Sequence, residues 1–166
     1  MIEHFNYILK SADIPSSWNE SVTILIPKKS EDKFLIQNWR PISLTNTDYK
    51  IFTKILANRL NSGIIQKVVG NHQNGFIKNR SILDNLLDID SILNYYNKEN
   101  RKGSLLFLDQ QKAFDRVDHN FLINTIQSFG FSYQFSNLIQ NLYKNQISFL
   151  NLNGFTSDKF KLCCGV

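Results

Sequence analysis

Leu105-Leu106-Phe107-Leu108-Asp109, continuing as Gln110-Gln111-Lys112-Ala113-Phe114-Asp115-Arg116-Val117, is the stretch that decides the fold of this chain. Its four consecutive apolar residues predict a short strand buried on both faces, with a carboxylate where the strand stops. An Asp at the end of a buried strand is held rigidly and still reaches solvent, as a metal-binding carboxylate must. Taken in isolation, such an Asp is more often a cap for the turn that follows.

Downstream, Asp118 is positioned to cap a helix ending at Phe129, with Gly130 just past its end. Ser132 starts a second helix whose buried stripe is Phe135, Leu138, Ile139 and Leu142. Residues 147–152, the turn Asn153-Gly154 and residues 159–163 predict a β-hairpin. Upstream, residues 1–12 read as a short helix that stops before Ile14-Pro15. Residues 21–26 form a β-rich run ending at Pro27, and a polar loop over 28–39 leads to a second extended piece, Ile42-Ser43-Leu44. Thr47 or Asp48 caps a helix running to about Asn61, with Tyr49, Phe52, Leu56 and Leu60 at helical spacing. A turn-rich linker over 70–79 precedes Ser81-Ile82-Leu83-Asp84, which fits a capping box. The helix behind it places Ile82, Leu86, Ile89, Leu93 and Tyr96 on one face. Strands arriving singly between helices, then as a hairpin, predict an α+β fold rather than a doubly wound sheet.

The 166 residues suffice for one domain with a real core, and the hydrophobic share of 42% is not that of a disordered chain. A net charge of +5 suits an anionic partner. Cys163 and Cys164 are the only cysteines, and His4, His72 and His119 are far apart, so no zinc site is expected. Adjacent reduced cysteines favour an intracellular location. Residues 1–10 carry Glu3, His4, Asn6 and Lys10 and lack a signal-peptide core, and no run approaches a membrane span, so a soluble protein with no membrane partner is expected.

Two further groups carry chemistry. Ile24-Leu25-Ile26-Pro27-Lys28-Lys29 is followed by Asn38-Trp39-Arg40-Pro41-Ile42-Ser43-Leu44, so that Lys28 and Arg40 sit at opposite ends of one loop. A hairpin would bring these cations together, an arrangement that suits a triphosphate aligned for in-line attack. Gln73-Asn74-Gly75-Phe76-Ile77-Lys78-Asn79-Arg80 reads as a tight turn at Gly75 with an aromatic and two cations beside it.

Residues 107–117, Phe-Leu-Asp-x-x-Lys-Ala-Phe-Asp-x-Val, resemble the first catalytic motif of reverse transcriptases from non-long-terminal-repeat (LINE-type) retrotransposons. Ile-Pro-Lys-Lys and Asn-Trp-Arg-Pro-Ile-Ser-Leu are similar to the fingers motif of that family, and residues 73–76 to its Gln-x-Gly-Phe segment. The closing Gly165-Val166 resembles the opening of the next motif, which the family continues as Arg-Gln-Gly. Arg-Pro-Ile-Ser-Leu points to the retrotransposon branch rather than to group II intron enzymes or telomerases.

The resemblance implies one reverse transcriptase domain, with fingers over residues 1–103 and an incomplete palm over 104–166. Asp109 is then the catalytic carboxylate that binds two Mg2+ ions. Phe114 lies under the nucleotide sugar and excludes a 2′ hydroxyl, while Lys28 and Arg40 contact the incoming triphosphate. Gln73, Gly75, Phe76, Lys78 and Arg80 face the template, Phe76 either stacking under it or packing nearby. The implied partners are an RNA template, a DNA primer and deoxynucleoside triphosphates, used in the nucleus or the cytoplasm. Asp115 and Asp118 are better explained as an ion-pair partner and a helix cap than as further metal ligands. The family's Tyr-x-Asp-Asp motif is absent from the 166 residues, so these residues alone are expected not to catalyse. The alternative expectation is a non-catalytic nucleic-acid-binding remnant of such an element.

Overall fold

The computed structural model describes residues 1–29 and 32–165. Ser30 and Glu31 of the loop over 28–39, and Val166 of the closing Gly-Val, lie outside the described residues. The chain folds as α+β and divides into two compact units. Residues 1–52 with 112–166 form the first, and residues 53–111 form the second.

The first unit is built on a mixed sheet. β1 (Glu20–Pro27) pairs antiparallel with β2 (Trp39–Leu44) and parallel with β3 (Ile147–Leu152). β4 (Phe155–Thr156) and β5 (Phe160–Lys161) both return antiparallel on β3. The expected Asn153-Gly154 turn is present, with φ of 50° and 87°, which a two-residue hairpin loop of the primed type requires. The returning strand differs from the expected residues 159–163. It starts directly after the turn at Phe155, breaks at Ser157 and resumes at Phe160. The break has a local cause: the Ser157 hydroxyl accepts from the Leu150 N–H at 3.0 Å, where a backbone carbonyl would otherwise stand. Cys163 lies beyond β5, and Cys164 forms an isolated bridge with Asp118.

Helices α1 (Ile2–Ser11), α5 (His119–Ser128) and α6 (Tyr133–Tyr143) belong to this unit. Their ends follow local chemistry. Asp118 accepts from the Phe121 N–H at 2.8 Å and Ser132 from the Phe135 N–H at 3.3 Å. At the end of α5 the Gly130 N–H bonds the Gln127 carbonyl and the Phe131 N–H the Ile126 carbonyl, a Schellman closure that needs the positive φ of Gly130. The core gathers Phe5, Ile8 and Trp18 with Phe52, the first residues of which come from α1 and the turn after it. Ring centroids lie 5.3 Å apart for Phe5–Phe52 and 5.2 Å for Trp18–Phe52. Leu138 and Leu142 bury the expected stripe of α6, with Phe135 and Ile139 half-buried beside them.

The boundary between the units falls inside α2 (Thr47–Arg59), which runs on through a π-turn at Leu60–Ile64 into α3 (Ile65–Val68). The second unit also holds α4 (Ile82–Lys98), whose N-cap Ser81 accepts from the Leu83 N–H at 3.2 Å. The apolar face of α4 is left uncovered: no residue of α4 is buried, and Ile82, Leu86 and Leu93 are exposed. The expected strand over 105–109 is absent as well. Residues 101–110 carry no regular structure, and Leu106 and Leu108 are 78% and 86% exposed. A strand exists only through its ladder, and no described strand pairs with this segment. A unit this small also has little surface with which to cover two apolar elements. No helix among the described residues is long and apolar enough to cross a membrane.

Candidate nucleotide and nucleic-acid site

The β1–β2 hairpin brings Lys28 and Arg40 together. Ile26 stands opposite Arg40 and Pro27 opposite Trp39, and the Lys28 N–H continues the ladder to the Asn38 carbonyl at 2.8 Å. Side chains two residues apart share a face, so Lys28 and Arg40 are diagonal neighbours on the face of Ile24 and Ile26. Such pairs have Cα atoms roughly 7–8 Å apart, within reach of two long cations. Lys28 is half-buried and Arg40 exposed. The register also explains the two prolines. Even-numbered residues make the β1–β2 hydrogen bonds, so Pro27 and Pro41 fall where no N–H toward the partner is needed.

The loop between the cations is held by residues that the sequence reading left without a role. Asp32 accepts from the Phe34 N–H at 2.9 Å, and its carbonyl accepts from the Asn38 side-chain amide at 2.8 Å. The Trp39 indole donates to the Lys33 carbonyl at 2.9 Å. The signal was present: an Asp two residues ahead of the N–H it binds is an Asx-turn pattern.

The opposite face of the hairpin is lined by hydroxyls. Thr23 Oγ1 and Ser148 Oγ lie 2.7 Å apart, and Ser43 Oγ is 3.4 Å from Thr23 Oγ1. A cavity of about 430 Å³ opens there, with Tyr49, Tyr143 and His119 among its walls. Burial pushes the Tyr49 phenol up to about 12, with Tyr143 adding to the effect, and burial raises Tyr143 as well. His119 Nε2 donates to the Gly165 carbonyl at 2.8 Å, which ties the end of the described chain to the start of α5. Phe114 opens a one-turn 3-10 helix, Phe114–Arg116, in this unit and is 59% exposed.

In the second unit, Arg80 is a staple for the loop over 70–80. Its Nη1 donates to the Gly70 and Gln73 carbonyls at 2.6 and 2.8 Å. The Gln73 amide donates to the Gly75 carbonyl at 3.1 Å, and Gln66 holds the Lys78 carbonyl at 3.0 Å. Gly75 and Phe76 form the turn, and its left-handed residue is Phe76, with φ of 63°; Asn79 is left-handed as well, with φ of 64°. Phe76 is 89% exposed, which puts an aromatic ring at the tip of a stapled loop. Asp109 is exposed, in the segment of the same unit that carries no regular structure. No group of three or more His, Cys, Asp or Glu able to hold a metal ion occurs among the described residues. Asp109 by itself therefore does not fit a metal centre.

Residues 26–166 match the family described as reverse transcriptase (RNA-dependent DNA polymerase). The chain belongs to the reverse transcriptase family, whose members generally use a divalent metal and act on a nucleic-acid template and primer. Its relatives include proteins named for transposons, retrotransposable elements and a mobile element. The Transposon TX1 uncharacterized 149 kDa protein of Xenopus laevis is 38% identical over 87% of this chain and 11% of its own length. The Retrovirus-related Pol polyprotein from type-2 retrotransposable element R2DM of Drosophila melanogaster is 32% identical over 100% of this chain and 15% of its own. The RNA-directed DNA polymerase from mobile element jockey, also of Drosophila melanogaster, is 26% identical over 98% and 18%. The chain thus spans only a small part of the length of the relatives it matches.

Proposed function

We propose that this chain supplies the fingers (1–103) and the first part of the palm (104–166) of a retrotransposon RNA-directed DNA polymerase. That polymerase copies an RNA template into DNA from a primer, using deoxynucleoside triphosphates. The observation that carries the reading is the diagonal placement of Lys28 and Arg40 on one face of the β1–β2 hairpin. Arg40 can grip two phosphate oxygens with its planar fork, while Lys28 adds a point charge beside it. A triphosphate held at both groups is aligned as well as neutralised, which is how positioning lowers the barrier to in-line transfer.

Phe114, 59% exposed, has the role of the ring under the nucleotide sugar. The stapled loop presents Phe76 to a template base, with Lys78 near the backbone and Gln73, Gly75 and Arg80 shaping the loop. Asp109 is proposed as one carboxylate ligand of a divalent ion, Mg2+, of which the complete site takes two. Each ion needs about six oxygen ligands, so these residues supply a ligand and not a centre.

The test is templated synthesis by a longer polypeptide that joins these residues to the family's Tyr-x-Asp-Asp segment and thumb. Asp109→Asn should abolish DNA synthesis on RNA while leaving the fold intact, because several kcal/mol of transition-state stabilisation are lost with a metal ligand. Activity within about tenfold of the parent, a difference of only about 1.4 kcal/mol, would contradict the assignment.

A further inference from the structure

A second cleft in the first unit, of about 460 Å³, lies between α5, α6 and the strand end at Lys161–Cys163. It shares no residue with the Lys28–Arg40 pair. Four of its lining residues, Asn120, Asn137, Gln140 and Asn145, carry side-chain amides. None of these four amides has a hydrogen-bond partner among the described residues. Asn141, also in the lining, is committed instead to the Ala12 carbonyl at 2.8 Å.

Two cations, Lys144 and Lys161, stand at the rim, both exposed and without an ion-pair partner among the described residues. The one carboxylate in the lining, Asp118, already accepts from the Phe121 N–H as the cap of α5. One wall is aromatic. The His119 and Tyr143 rings lie 4.9 Å apart at 43°, and both residues line this cleft as well as the cavity beneath the hairpin.

Amides that both donate and accept, ring faces, and cations at the rim form the set that recognises an unpaired nucleotide. The amides meet base edges of either hydrogen-bonding pattern, the rings take a base face, and the lysines take the flanking phosphates. The volume lies in the range of ordinary small-ligand sites and accommodates one nucleotide. We propose that this cleft is a binding site for an unpaired nucleotide of single-stranded RNA, separate from the nucleotide site of the hairpin. The preference is for single strands, because a base inside a duplex has its faces stacked and its Watson–Crick edge paired.

Cys163 lines this cleft while its neighbour Cys164 lines the cavity beneath the hairpin, which gives the chain an internal reporter. In the full 166-residue chain, a short labelled oligouridylate should slow maleimide modification of Cys163 and leave that of Cys164 unchanged, resolved by peptide mass. Lys144→Ala with Lys161→Ala should lower the slope of log affinity against log salt by about 1.4, two single-strand phosphate contacts at about 0.7 each. Asn137→Ala with Gln140→Ala should weaken binding by about fivefold and leave that slope unchanged, since hydrogen bonds and not charges are removed. All four positions are exposed or half-buried, so these variants fold.

Unchanged affinity in both double variants, with binding lost only in Lys28→Ala with Arg40→Ala, would overturn the site. Equal protection of Cys163 by a heparin fragment would overturn it too, because a basic patch would then explain the data. No detectable RNA binding by the chain overturns this site alone, since the role of the hairpin is read from nucleotide use by a polymerase.

Discussion

The Trp18 indole donates to Asp48 Oδ2 at 2.7 Å, joining the turn after α1 to the first turn of α2. Trp18 is fully buried, so Asp48→Ala would strand its N–H away from water. The expected loss is about 1–3 kcal/mol, read as a lower urea midpoint with an unchanged slope. Asp48→Asn keeps an acceptor oxygen and should recover most of it.

The same pair sets an acid dependence. The Trp18 N–H holds the Asp48 carboxyl below its ordinary value, against the opposing effect of burial, with the Tyr49 N–H adding to the lowering. A carboxyl whose folded value is depressed contributes stability that is present above the unfolded value, near ~4, and is lost as pH falls through the folded value. Stability measured by urea titration should therefore decline less below about pH 4 in Asp48→Asn than in the parent. An identical acid limb in the two proteins would contradict this.

Tyr49 and Tyr143 give the alkaline counterpart. The folded phenol of Tyr49 ionises at about 12 because it is buried. An unfolded phenol ionises near ~10, so the unfolded state loses its proton first and stability falls as pH rises from about 10 toward 12. Ultraviolet titration should show phenolate appearing late, and Tyr49→Phe with Tyr143→Phe should reduce the alkaline decline. A double variant that declines as steeply as the parent would place both rings in solvent.

For Phe114 the prediction is steric. In the longer polymerase polypeptide, Phe114→Ala should admit ribonucleotides more readily, because a 2′ hydroxyl no longer meets the ring edge. With the ring 59% exposed, the cost in stability should fall short of the about 3–5 kcal/mol of a buried Phe. The quantity to measure is the ratio of deoxyribonucleotide to ribonucleotide efficiency. An unchanged ratio would make Phe114 a packing residue.

How far the fold is legible in the sequence depends on the range of the interaction that decides each element. Asp118, Ser132 and Ser81 announce their helices because a cap acts within three residues, and Asn153-Gly154 announces its hairpin because the turn's dihedrals admit few residues. Lys28 and Arg40 are predictable as neighbours because one short loop joins two β-rich runs. Residues 105–109 are different: four apolar residues become a strand only when a ladder receives them, and that depends on contacts distant in sequence. The apolar stripe of α4 is likewise real as a pattern, but a stripe says which face is to be covered and not what covers it. The amide cleft carries no short motif. It forms from helix faces and a strand end that only the tertiary fold assembles.

Arg40 tests the central claim most directly. If the hairpin holds the triphosphate, Arg40→Ala in the polymerase polypeptide should raise the nucleotide KM strongly and leave the template Kd nearly unchanged. Arg40→Lys should recover only part of the loss, because an ammonium cannot reproduce the two-pronged contact of a guanidinium. Measuring nucleotide KM and template Kd across a salt series decides the matter. The account predicts a nucleotide defect with an unaltered salt slope for template binding. A pure template defect, with the slope flattened by about one phosphate contact, would contradict it and move Arg40 from the nucleotide site to the nucleic-acid surface.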